Sequence, residues 1–252
     1  MSSNIWMHCE GASRRQLLQL APWRVVESQH QVSTRKLVDS AAEQELLETL
    51  VDRVKPPVAV GGRLHYLLST PFRYPPLRYG SRFGARQERG IWYGAVEQRT
   101  AFAEVAYYRL LFLEGTRASL DVVMTELSAF TVRMRSDRGV RLDQPPFLAH
   151  RDAISSPVSY AESQALGRAM REAGVELFVF VSARDSRGGL NAGAFTPAVF
   201  RAAKPQHFQR WHCTATRNMV EFVRGDLTGD RDVHTYAREQ FLVEGVLPMP
   251  GV

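Results

Sequence analysis

Cysteine is nearly absent. The chain holds only Cys9 and Cys213 in 252 residues, and neither belongs to a CxxC pair or a Cys/His cluster with metal-ligand spacing. That leaves no sequence basis for a structural zinc site or a disulfide framework, and it fits a reducing cytoplasm. Long apolar runs are also lacking. Nothing approaches the roughly 20 residues that span a bilayer, and Met1–Glu10 has neither the basic start nor the apolar stretch of a signal peptide. The seven histidines are scattered and form no HExxH pair. No GxSxG elbow surrounds any serine, which disfavours a hydrolase-type nucleophile, and no GxxxxGK[ST] phosphate loop exists. Lysine is scarce as well, so the net charge of +6 rests on arginine.

What is present is an ordinary globular composition, 44% hydrophobic and 23% charged, long enough to bury a core. An arginine-rich surface suits a phosphate-bearing ligand, nucleic acid or an acidic partner, because the planar guanidinium makes paired charged hydrogen bonds. A merely solvated basic surface fits equally well. There is no internal repeat. The first sixty residues read as mainly helical, with helical spacing over Ser33–Val54 and a stop at Pro56-Pro57; Gly61-Gly62 marks a boundary. Gly90–Ala95 reads as a buried strand. Thr100 reads as the cap of a buried helix over Ala101–Leu113. Ser119–Thr125, Ala129–Arg133, Val175–Val181, Phe195–Phe200 and Met219–Val223 read as strands. Ser159 and Glu162 read as a capping box opening a helix to about Glu172, closed by Gly174. A short helix is expected over about His234–Leu242. The mixture predicts an α+β fold.

Three segments look chemical. In Gly80-Ser-Arg-Phe-Gly84, Arg82 sits between glycines whose backbone can approach a ligand closely; a solvent-facing turn is the plainer reading. Glu104 lies on the apolar helix, where a carboxylate is either ion-paired, with Arg109 or Arg82, or poised for work. Tyr93, at the end of an apolar strand, either stacks on a flat ring or packs in the core with its hydroxyl at the edge. The third segment is the polar, Gly-rich loop Ser182-Ala-Arg184 to Asn191 after a buried strand, a common place for a binding site.

Together, Arg82-Phe-Gly, Trp92-Tyr93-Gly-Ala, Ala101-Phe-Ala-Glu104 and Val181-Ser182-Ala-Arg184 onward to Asn191 resemble the RES domain family, from roughly Leu64 to Val223. The chain resembles a longer subgroup, with Leu64-His-Tyr-Leu-Leu ahead of Pro71-Phe-Arg-Tyr-Pro-Pro-Leu-Arg78. The resemblance implies a compact α+β domain over 61–252, similar to ADP-ribosyltransferases. Its central antiparallel or mixed sheet is packed by helices, and a mainly helical extension covers 1–60. It implies a cytoplasmic toxin that cleaves NAD⁺ at the nicotinamide–ribose bond, with inorganic phosphate or water as acceptor. NAD⁺ is then a consumed substrate, and no metal or other cofactor is called for. The implied partner is an Xre-type helix-turn-helix antitoxin; self-association into a homo-oligomer is left open. On this reading Arg82 holds the pyrophosphate, with Arg78 as its main rival. Tyr93 borders the nicotinamide, Glu104 stabilises the developing ribosyl cation, and Ser182 hydrogen-bonds ribose or phosphate. Arg184 and Asn191 support the loop or the acceptor. Two other readings remain. One is ADP-ribosylation of a macromolecule. The other is a non-catalytic nucleic-acid-binding module, against which stands the lack of a helix-turn-helix, an RNA-recognition motif or a basic helical stripe.

Overall fold

Chain alternation decides the architecture. Leu177-Phe-Val-Phe-Val181 is buried on both faces: Phe178 and Phe180 enter one core cluster, Leu177 and Val179 another. A strand of this kind belongs inside a sheet covered on both sides. The computed structural model describes residues 5–28, 39–54, 64–74, 79–118, 120–225 and 231–250. Its elements are α1 (Ile5–His8), β1 (Gln16–Leu20), β2 (Trp23–Glu27), α2 (Ala41–Val54), α3 (Tyr66–Arg73), β3 (Trp92–Ala95), α4 (Gln98–Gly115), β4 (Val123–Thr131), β5 (Met134–Arg141), α5 (Arg151–Ile154), α6 (Ala161–Glu172), β6 (Leu177–Val181), β7 (Leu190–Ala194), β8 (Gln206–Ala215), β9 (Met219–Gly225) and β10 (Arg231–Ala237). The fold is α+β, as expected.

The strands form one sheet in the order β1-β5-β6-β7-β3-β2-β4-β8-β9-β10. β5 and β6 run parallel and the other neighbours antiparallel. The middle of this sheet is its weakest seam. β2 pairs with β4 over five residues but with β3 only at Trp23–Ala95. The sheet is therefore two five-stranded halves joined at a point. Gly94 sits at that point, where a Cβ would lie 2.6 Å from the Trp23 carbonyl oxygen. α4 packs against strands of both halves and holds them together. Its inward face, Phe102, Ala106, Tyr107, Leu110 and Leu113, meets Trp211 and Phe222 of β8 and β9.

Several sequence expectations are corrected. The N-terminal segment is not helical alone: among its described residues α1 and α2 are helices, whereas β1 and β2 are strands of the common sheet. Their short polar-apolar stretches carry too little periodicity to be seen without partners. The 60/61 boundary, Pro56-Pro57, Gly61-Gly62, the start of the Ser33 helix and Ser119 lie outside the described residues. The capping box lies at Ser40–Glu43, where each side chain accepts from the other's backbone N–H. At the expected place, Tyr160 is the cap residue and no side chain closes a box; the Glu162 Oε2 atom is buried without a partner. Thr100 is not a cap, since α4 starts at Gln98. Its hydroxyl instead donates to Asp185 Oδ2 at 2.7 Å. Phe195–Phe200 is not a strand, because β7 ends at Ala194 and Pro197–Val199 forms a 3-10 turn. His234–Leu242 divides into the end of β10 and a 3-10 turn at Arg238–Phe241. β5 and β8, both charge-interrupted, had no strand expectation. Gly174 behaves as expected: its φ is +73° and its N–H donates to Arg171 O at 2.9 Å, closing α6 in the left-handed conformation that glycine tolerates.

Candidate active site

A cavity of about 340 Å³ opens at the seam between the two half-sheets. β2 lines it with Trp23, Arg24 and Val25, β3 with Tyr93, Gly94 and Ala95, and β7 with Asn191. α4 contributes Ala101, Glu104, Val105 and Tyr108. These four fall at i, i+3, i+4 and i+7, so one stripe of the helix faces the cavity while the opposite stripe fills the core.

Glu104 is half-buried on this stripe. The ion pairs considered for it do not form. Arg109 pairs with Glu27 at 2.6 Å, and Arg82 donates to Ser156 O at 2.8 Å. Two neutral donors hold the carboxylate instead. The Ser182 hydroxyl donates to Oε1 at 2.7 Å, and the Asn191 amide nitrogen donates to the same oxygen at 2.6 Å. The second oxygen, Oε2, has no protein hydrogen bond among the described residues. The Asn191 amide is oriented by this bond, which leaves its Oδ1 buried without a donor.

Ser182 stands behind Glu104 rather than in the cavity. Its hydroxyl donates to Glu104 and accepts the backbone N–H groups of Arg184 and Asp185, both at 3.1 Å. One donor and two acceptor sites are all a hydroxyl has, so this side chain is fully engaged. The loop it caps is tied to α4 by Asp185, which takes Thr100, Arg99 and the Arg187 N–H. Burial alone would raise the Asp185 carboxyl; the bonds from Thr100, the Arg187 backbone and Arg99 outweigh it and hold the pKa below the ordinary aspartate value. Gly189 permits this closure, because a Cβ there would meet Thr100 Oγ1 at 2.0 Å.

Arg82 is buried, with its guanidinium 4.9 Å over the Tyr160 ring. It has no carboxylate partner among the described residues. Tyr93 lines the cavity, and its hydroxyl meets Ser81 Oγ at 3.0 Å and accepts the Phe83 N–H at 3.1 Å. Burial pushes the phenol up to about 12, so it is neutral at physiological pH. No motif in the sequence marks Arg24, which belongs to the stretch expected to be helical and sits instead on β2. Its guanidinium donates to Tyr93 O at 2.6 Å and lies 5.2 Å over Trp92, while its Nε is buried without a partner. Burial lowers its pKa to about 10, which leaves it a cation at neutral pH. Tyr108 and Tyr160, hydroxyls 3.3 Å apart, complete the wall. The only signal in the sequence for these residues was their aromatic or cationic character.

The site residues expected from the sequence thus divide. Arg82, Tyr93, Glu104 and Asn191 line one cavity, Ser182 supports it from behind, and Arg78 lies outside the described residues. Arg184 lines a different cavity. Among the described residues no group of three His, Cys, Asp or Glu side chains is placed to hold a metal ion.

The sequence profile of the RES domain matches residues 53–215. The chain belongs to the RES domain family. The matched span contains all seven expected site residues, whereas β2 with Arg24 precedes it. No curated protein gives a significant match. Among solved structures, the crystal structure of the M.tuberculosis MbcT-MbcA toxin-antitoxin complex aligns with a TM-score of 0.47 at 12% identity, over 85% of this chain and 93% of that chain. No helix among the described residues is long and apolar enough to cross a membrane.

Proposed function

We propose that this RES domain protein cleaves NAD⁺ at the nicotinamide–ribose bond and acts as the toxin of a toxin–antitoxin pair. The observation that carries the reading is the Glu104 carboxylate, held by Ser182 and Asn191 at the seam, with no cation paired to it and Oε2 unspent among the described residues. In the reaction the bond from ribose C1′ to the pyridinium nitrogen breaks, and its electron pair leaves with neutral nicotinamide. Positive charge develops on the ribosyl carbon, and a fixed carboxylate beside it stabilises the transition state more than the ground state. An oxygen of inorganic phosphate then bonds C1′ to give ADP-ribose-1-phosphate; if water attacks instead, it loses a proton and gives ADP-ribose. The cations Arg82 and Arg24, neither paired with a carboxylate among the described residues, suit the pyrophosphate. The Tyr93 ring suits the nicotinamide, and the unpartnered Asn191 Oδ1 suits a ribose hydroxyl. Ser182 serves by holding Glu104. By family analogy the partner is an Xre-type antitoxin that covers this cavity.

The test is loss of NAD⁺ from purified protein, with and without phosphate, the products being identified by mass spectrometry. Nicotinamide with ADP-ribose-1-phosphate marks a phosphorylase, and nicotinamide with ADP-ribose a glycohydrolase. A mass-shifted protein or nucleic acid would mark a transferase. Glu104→Gln keeps shape and removes charge; turnover is expected to fall roughly 100-fold, the scale of one lost transition-state electrostatic contact. Unchanged turnover in this variant would remove Glu104 from the chemistry.

A further inference from the structure

A second cavity, also about 340 Å³, is lined by Arg151, Asp152, Ser155, Pro157, Ser182, Ala183, Arg184, Asp185, Ser186 and Gln240, and shares none of these with the Glu104 cavity. Arg184 dominates it. This residue is buried, its guanidinium is stacked 3.6 Å from the centre of the Tyr107 ring, and one nitrogen donates to Pro157 O at 3.0 Å. No carboxylate among the described residues pairs with it. Its other N–H groups make no protein hydrogen bond among those residues, and none is an occluded orphan of the kind found at Arg24 Nε. The residue retains a small exposure and lines the cavity. The stacking fixes the plane of the fork, so its orientation is set before any ligand arrives.

The surrounding charges favour an anion. Two carboxylates share the wall, but Asp185 is already consumed by Arg99 and Thr100. Asp152 lies on the exposed side of α5, one residue from Arg151. Arg151 makes no ion pair among the described residues, and the Ser186 side chain is exposed at the rim. A fixed guanidinium, a second, exposed one and a hydroxyl are a phosphate-binding set, because paired N–H donors match two oxygens of one phosphate.

We propose that this cavity is a second, phosphate-binding site, distinct from the Glu104 cavity. Its ligand is inorganic phosphate or the phosphate of a nucleoside monophosphate, held by Arg184 and Arg151 with Ser186 at the rim. Ser182 forms part of its wall and donates to Glu104, which lines the other cavity, so one hydrogen bond links the two. The site does not depend on the protein consuming NAD⁺.

The test is calorimetric titration of the intact chain, without NAD⁺, using inorganic phosphate in one arm and AMP in the other. The site predicts saturable binding weakened by salt. Arg151→Ala is expected to weaken it on the order of tenfold, about the contribution of one charged hydrogen bond. That variant should leave phosphate-independent NAD⁺ loss unchanged, since Arg151 lies outside the Glu104 cavity. Tighter binding of AMP than of phosphate would identify a nucleotide site, and the reverse order a free-phosphate site. Ser186→Ala, a surface change that leaves the fold intact, gives a second reading and should weaken binding a few-fold. The proposal is overturned if the intact chain binds neither ligand. It is equally overturned if Arg151→Ala and Ser186→Ala both bind as the parent does while ADP-ribose displaces the phosphate, because that pattern places the anion in the Glu104 cavity.

Discussion

At the scale of single residues, the Glu104 carboxylate is held by neutral donors rather than by a counter-ion. An arginine against Glu104 would have stabilised its charge in every state, including those in which no cation develops nearby. Serine and asparagine orient the carboxylate and leave its charge uncompensated, which is what an electrostatic role in a transition state requires. Ser182→Ala removes the donor to Oε1 and also the acceptor for two loop N–H groups. It should lower kcat for NAD⁺ loss with little change in KM, because the hydroxyl has no capacity left for substrate. It should also lower stability by about 1–3 kcal/mol, the cost of stranding buried donors. Steady-state kinetics and a thermal melt check both. A raised KM with unchanged kcat would instead put the hydroxyl on the substrate.

At the scale of elements, the site depends on how a loop and a seam are held. Asp185 ties the loop before β7 to the start of α4. Its carboxyl is depressed in the fold, so its contribution to stability is fully present above the unfolded value of about 4 and is lost as pH falls through the folded pKa. Asp185→Asn should therefore melt lower than the parent at pH 7, with the difference shrinking below about pH 4. Melting curves from pH 7 to 3 measure this, and a constant difference across the range would contradict it. The seam rests on a glycine. At Gly94→Ala the added Cβ would press on the Trp23 carbonyl at 2.6 Å, so β2 must move away from β3. NAD⁺ affinity is expected to fall together with melting temperature, and a variant with native affinity and native melting would show that the seam has slack.

At the scale of the molecule, β1 and β2 make the N-terminal residues part of the sheet rather than an appendage. β2 lies between β3 and β4, and β1 covers the edge of β5. A chain lacking residues 1–28 would expose three strand edges, those of β5, β3 and β4, and lose Trp23 and Val25 from the core around α4. It should fail to give a cooperative melt by circular dichroism, and a sharp transition near that of the full chain would restore the reading of a separable extension.

The sequence by itself determined the chemistry-bearing motifs and the class of fold. Glycines around Arg82, a carboxylate on an apolar helix and a buried strand running into a Gly-rich loop are local patterns, written in neighbouring residues. Those patterns also located α4, β3 and β6, and Gly174 as the end of α6. Only the tertiary structure decided which of these side chains share a cavity. Ser182 and Arg184 are two residues apart and line one cavity, yet only Ser182 also reaches Glu104, whereas the Arg184 guanidinium stacks on Tyr107. Arg24 is 69 residues from Tyr93 in sequence and bonds its carbonyl. β1, β2, β5 and β8 likewise take their meaning from partners far along the chain: a strand's hydrogen bonds and its buried face are completed by another strand, and no window of sequence contains both.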